Sequence, residues 1–234
     1  MTIRRIALTV LGFSGSILAA LTLCISAQSI LAQPTETGLS TIEFPYVIPD
    51  TTLVVQALTG YDGPFLEDGT DREMVNVVAL IIRNSGATII ESAQISLHWG
   101  DGMYTFAGSY IPAGGTAVLI EQNGQIWKDT VFTHCTGNQT TLQAGLLQQE
   151  IMVTEEAMGT VILTNTTEDT IYGITIYHKT WLSPQDMYIG GITYAMDVPH
   201  LLPGQTAYLY PDHYAVGYSR VVCIQGFSNS KGGG

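Results

Sequence analysis

Positive charge is scarce in this sequence: eight lysine and arginine residues stand against 20 aspartate and glutamate residues among 234, for a formal net charge of -12. Arg4 and Arg5 precede every acid, so beyond them six cations face 20 acids and the balance is -14. A surface of that sign repels phosphate backbones, which argues against nucleic acid and against anionic lipid headgroups as partners drawn in by long-range electrostatics. Cysteine is scarce too, with three, and there is no Cys-x-x-Cys, no His-Glu-x-x-His and no close histidine pair on a helix from which to build a zinc centre. A nucleophile elbow and a glycine-rich phosphate loop after a strand are likewise absent, so no cofactor is expected. Charged residues make up 12% but hydrophobic ones 46%, which marks a chain that packs cores rather than a disordered one.

What is there begins with an apolar segment. After Arg4 and Arg5, residues Ile6 to Leu31 run without a formal charge, and Ile6 to Ile25 as a helix would span about 30 Å, the thickness of a bilayer core. Residues 1–32 are expected to be either a signal anchor, with the arginines inside, or a signal peptide cleaved after Ala27 or Ala32. Both alternatives export the remainder. Cys24 follows Leu23 where a lipid-attachment site needs a small residue, so it reads as an apolar side chain.

Residues 33–49, polar with three prolines, suit a linker. Strands are expected at Thr52 to Leu58, Val75 to Arg83, Ser92 to Trp99, Thr116 to Glu121 and Thr130 to Cys135, with Gly60 to Glu73 as a turn-rich insertion. Thr141 to Ala157 fits a short helix or a strand, and no long helix appears. The chain also matches itself. Leu80, Ile82, Asn84, Ser85 and Ile89 align with Val161, Leu163, Asn165, Thr166 and Ile171, and His98 with His178. Ile111, Pro112, Gly114 and Thr116 to Leu119 align with Leu202, Pro203, Gly204 and Thr206 to Leu209, and each half reaches a cysteine, Cys135 or Cys223. Two tandem units follow, residues 50–140 and 145–228, with residues 229–234 as a disordered tail.

In the second unit, Gly159, Val161, Asn165, Thr166, Ile171, Tyr172, Ile174 and Ile176, followed by Leu202 to Gln205, resemble the FxLYD and CARDB type of immunoglobulin-like domain. The first unit resembles it more loosely. The resemblance implies an all-β chain of two tandem immunoglobulin-like antiparallel β-sandwiches on an envelope or secreted protein, without catalysis. The long Ser183 to His200 connection departs from the pattern.

Four sets of residues are candidates for chemistry. Glu67, Asp68, Asp71 and Glu73 crowd one loop, where oxygen ligands could hold calcium weakly. Thr133, His134 and Cys135 resemble the Thr-x-Cys ending of the sortase signature, with His98 as a conceivable partner; the downstream arginine that transpeptidase needs is missing, since no arginine stands between Cys135 and Arg220. Cys135 and Cys223 are either two buried thiols or a disulfide closing an 88-residue loop and contributing about 4 kcal/mol. Eight of the 12 tyrosines lie between Tyr172 and Tyr218, and Trp181, Tyr188 and Tyr214 are the candidates for a contact face. The expected function is an extracytoplasmic, non-enzymatic interaction or assembly module contacting an envelope protein. A carbohydrate-binding or adhesion protein contacting a surface glycan is the alternative.

Overall fold

The computed structural model describes residues 22–24, 41–143, 146–156 and 159–228. The expected membrane helix lies outside these, apart from Thr22 to Cys24, as do residues 33–40 of the linker and the 229–234 tail. The described residues are all-β, with two single 3-10 turns, Leu66–Asp68 and Ser183–Gln185. Among them no helix is long and apolar enough to cross a membrane. The chain divides near residue 140 into two compact units, the short run Gly190–Ile192 clustering with the first.

The first unit carries β1 (Thr22–Cys24), β2 (Tyr46–Val47), β3 (Leu53–Phe65), β4 (Arg72–Asn84), β5 (Ile90–Trp99), β6 (Gly102–Ile111), β7 (Thr116–Ile120) and β8 (His134–Thr141). One sheet runs β3-β4-β7, with β1 and β2 both on the outer side of β3, and the other runs β6-β5-β8. The second unit carries β9 (Ile151–Glu156), β10 (Thr160–Asn165), β11 (Ile171–Leu182), β12 (Met187–Leu201), β13 (Thr206–Leu209) and β14 (Ser219–Ser228). Its sheets run β9-β10-β13 and β12-β11-β14. The order is therefore the same in both units, β9 standing for β3, β10 for β4, and so on to β14 for β8. Alternate residues of these strands are apolar and point inward, as antiparallel sheets covered on one face require. Val161, Leu163, Ile171, Ile174, Ile176, Leu201 and Ile224 join in the second core.

Both units turn on an asparagine. Asn84 and Asn165 are fully buried at the ends of β4 and β10. Asn84 Nδ2 donates to the carbonyls of Thr88 at 2.8 Å and Ile111 at 3.1 Å, while its Oδ1 accepts from the amide of Gly86 at 2.9 Å. Asn165 Nδ2 donates to Asp169 at 2.7 Å and Leu201 at 3.0 Å, and its Oδ1 accepts from Thr167 at 2.9 Å. The next residue matches as well: Ser85 donates its amide and hydroxyl to Thr52 O, and Thr166 donates both to Glu150 O. Each buried asparagine thus satisfies backbone groups that the corner leaves without a strand partner.

This shared corner fixes the register between halves and corrects two alignments. Ile111 corresponds to Leu201, not Leu202, because each carbonyl receives its asparagine. Pro112 then matches Leu202, and Gly114 matches Gly204, both at φ +69 in the left-handed region that glycine adopts without strain. Counting from the asparagines, Ile90 and Ile171 correspond, and Leu97, rather than His98, corresponds to His178. The burial of β5 and β11 alternates in step through these positions.

Several expected boundaries move. Gly60 to Glu73 is not an insertion but the end of a long hairpin: β3 continues to Phe65 and β4 starts at Arg72, with Leu66–Asp68 between. Pro64 is tolerated because among the described residues β3 has a strand on one side only there, opposite Glu73. Gly102–Ile111, which is not among the expected strands, is β6, in which Gly108 lets Ile111 and Leu119 close in. The Ser183 to His200 connection is a 3-10 turn followed by 15-residue β12. Within Thr141 to Ala157 there is no helix but β9. Cys135 lies at the start of β8 and Cys223 inside β14, so neither closes a strand. The linker packs from Thr41 onward, with the Ile42 amide on Phe132 O and Ile48 fully buried.

Candidate functional site

The tyrosine-rich half places its aromatics in two kinds of position. Trp181 and Tyr188 face each other across the β11-β12 hairpin end. The Arg220 guanidinium lies 3.6 Å from the Trp181 ring centroid and 3.5 Å from Asp186, and Trp181 Nε1 donates to Asp186 Oδ1 at 3.2 Å. Tyr188 is buried, and burial raises its phenol above the usual range although Arg220 bonds to it. Tyr214 is buried as well; its hydroxyl donates to Glu155 Oε1, and burial followed by that bond pushes its ionisation up. The expected face of Trp181, Tyr188 and Tyr214 is therefore not a shared surface: two rings are inside and the third is covered by Arg220.

Behind them lies a column of rings. The His178 imidazole, 2% exposed, stacks on Tyr194 at 5.3 Å and meets Tyr214 edge-on at 5.0 Å, and Tyr194 stacks on His213 at 4.7 Å. Neither ring nitrogen of His178 has a hydrogen-bond partner among the described residues. Burial, then the nearby His213, pushes its pKa down to about 4, so the ring is neutral. The position explains the burial, because His178 occupies the inward site that Leu97 fills in the first unit.

The most exposed rings of this half lie elsewhere, at positions that tyrosine content alone does not single out. Tyr208 is 58% exposed, Tyr210 74% and Phe227 60%. Met152 on β9 and Leu202 before β13 are exposed too. The alternation Ala207, Tyr208, Leu209, Tyr210 carried the signal, since it sets the tyrosines opposite the core-facing pair. Across β12, β11 and β14, His200, Tyr172 and Phe227 share one register row; Tyr172 stacks on Phe227 at 5.7 Å.

The acidic loop does not converge. Glu67 turns inward, accepting the amides of Ile120 at 2.9 Å and Gly191 at 2.8 Å, both in the first unit. Gly191 sits so close to Ala107 O that a Cβ would come within 1.9 Å of it. Asp68 accepts from the Thr70 hydroxyl and amide and lies 3.5 Å from Arg72, and these hydrogen bonds hold its carboxyl below the usual range. Asp71 adopts φ +52, and Glu73 pairs with Pro64 across the hairpin. Among the described residues no three acids, histidines or cysteines gather as a metal site. Adding millimolar calcium is expected to leave the melting temperature unchanged within about 1 °C, as a scanning fluorimetry titration would register.

Neither Cys135 nor Cys223 is in a disulfide, and both are buried. Burial pushes the Cys135 thiol up to about 11, and the His98 and His134 rings lie 5.6 Å apart in a tilted arrangement. The native protein at pH 7.5 is expected to react with a thiol reagent at least about a hundredfold slower than free cysteine, and at the free rate once unfolded. No family model matches the chain, and no curated protein matches it.

Proposed function

We propose that the chain is an exported, non-enzymatic protein of two immunoglobulin-like units, anchored by or cleaved from its N-terminal apolar segment, that acts by contact as an assembly partner in the cell envelope. The observation that carries this reading is the distribution of side chains in the second unit, where tyrosines and aliphatic groups stand exposed on β13 and beside it. The polar groups that could do chemistry are instead committed to the fold. Glu67 holds two amides, and fully buried Glu121 accepts from the amides of Thr105, Asn123 and Gln125. The Cys135 thiol stays protonated at neutral pH, and a nucleophile needs the thiolate.

A second reading is favoured by one feature. The His200, Tyr172 and Phe227 row offers an aromatic strip, with Asp197 on β12 and Thr175 on β11 nearby, a combination that suits a neutral sugar ring. Crosslinking in cells followed by identification of neighbours tests the first reading, with a reproducible envelope protein as the expected result. Recovery of cytosolic neighbours alone would sink it. Binding on a glycan array that Tyr172→Ala and Phe227→Ala abolish would favour the second.

A further inference from the structure

Strand β13 is an open edge of four residues without charge, proline or bulge. In its sheet, among the described residues, it has one hydrogen-bonded neighbour, β10. Its outer face is open as well. Val118 and Ile120 of β7 are fully buried, while Tyr208 and Tyr210, which stand at the matching positions, are 58% and 74% exposed. Natural edge strands are kept short, as this one is, or are guarded by charge, proline or a bulge. The other edge of this sheet, β9, ends in Glu155 and Glu156, but Gln205 to Tyr210 carries no charge and no proline.

The register tells which backbone groups are open. The Asn165 amide donates to Gln205 O, so residues 165 and 205 form a hydrogen-bonded pair, and by alternation so do Leu163 with Ala207 and Val161 with Leu209. Thr206 and Tyr208 lie between these pairs and direct their amides and carbonyls away from β10, and Tyr210 continues the same parity. This strip is self-complementary. Two copies related by a two-fold axis through Tyr208 would pair Tyr208 with Tyr208 and Thr206 with Tyr210, all through groups of the same parity, with the tyrosine rings on one face. We infer that β13 pairs antiparallel with β13 of a second copy of this chain, joining the β9-β10-β13 sheets of two molecules. Closed two-fold pairing is the commonest form of homo-oligomer and leaves no further edge open at this strand. The inference goes beyond the contact role proposed above, because it holds whether or not another envelope protein binds.

Light scattering of the purified full chain is expected to give a protein mass twice 25.2 kDa, falling on dilution. Tyr208→Cys is expected to form a covalent dimer on mild oxidation, whereas Asp101→Cys, on the exposed β5-β6 turn, is not. Tyr208→Pro removes an amide that β10 does not use, so it leaves the sheet intact while weakening dimerisation at least about tenfold. Should that variant fail to fold, Thr206→Lys, which places a charge on the edge without touching the backbone, decides. A monomer at every concentration up to about 100 µM overturns the inference. So does a dimer whose affinity neither Tyr208→Pro nor Thr206→Lys alters.

Discussion

Asn84→Ala is expected to destabilise the first unit by about 3–5 kcal/mol, and Asn165→Ala the second by a similar amount, lowering the corresponding transition by about 15–25 °C. The size follows from what alanine leaves behind. Without the side chain, the Ile111 carbonyl loses its donor in the interior and the partly buried Thr88 carbonyl and Gly86 amide lose their partner at its margin, and the same holds for Leu201, Asp169 and Thr167 in the other half. Each orphaned group costs about 1–3 kcal/mol, far more than the net value of a hydrogen bond. Asn84→Asp is expected to be at least as harmful despite its matching shape, because a carboxylate would face carbonyl oxygens where the amide donates. Thermal melts of each variant separate the two transitions. A change below about 1 kcal/mol in both would show that the corners do not hold the sandwiches.

Acid is expected to destabilise the second unit through His178, and His178→Leu to remove most of that sensitivity. In the folded protein the ring titrates at about 4, below its ordinary value of 6.5, because burial disfavours the cation. Above pH 6.5 both folded and unfolded chains carry neutral imidazole, so folding meets no penalty from this group. As pH falls from 6.5 towards 4 the unfolded chain takes a proton that the folded one refuses, and stability is lost across that window. The groups around it do not reverse the sign: Tyr194 comes from β12, His213 and Tyr214 from the β13-β14 connection, and Glu155 is engaged by the Tyr214 hydroxyl. Leucine is the replacement that the first unit already uses, at Leu97. Melting curves between pH 8 and pH 4.5 should show His178→Leu gaining about 5–10 °C over the natural protein at pH 5 and much less at pH 8. Equal gains at both pH values would assign the effect to packing alone.

The corners were legible in the sequence because the chemistry they need is narrow. An asparagine that serves two carbonyls and an amide has few substitutes, and the pattern around Asn84 reappears around Asn165 with strands at the same distances. The hairpins were less legible. Asp62, Gly63, Pro64 and Gly69 announce a turn, yet the first three lie within β3, where local turn chemistry is overruled by pairing with β4. Strand β6 hid for a similar reason, since Gly102, Ala107 and Gly108 weaken the apolar alternation that marks a strand. His178 was read one position out of step because histidine matched histidine by name, while the fold matched it to a leucine by burial. For the contact surface, tyrosine content drew attention to the right half but not to the right residues. Tyr214 packs edge-on against His178 of β11 and Tyr188 is bonded by Arg220 of β14, contacts that spacing along the chain does not reveal.

Export of everything beyond the apolar leader is the premise on which a contact role in the envelope rests. It is tested most directly with Asp101→Cys, an exposed position on the β5-β6 turn, in a protein whose Cys135 and Cys223 are buried. Spheroplasts or intact cells are treated with a membrane-impermeant maleimide before and after lysis. Labelling of Cys-substituted protein to the same extent in both is the predicted result, and labelling that appears only after lysis would contradict it.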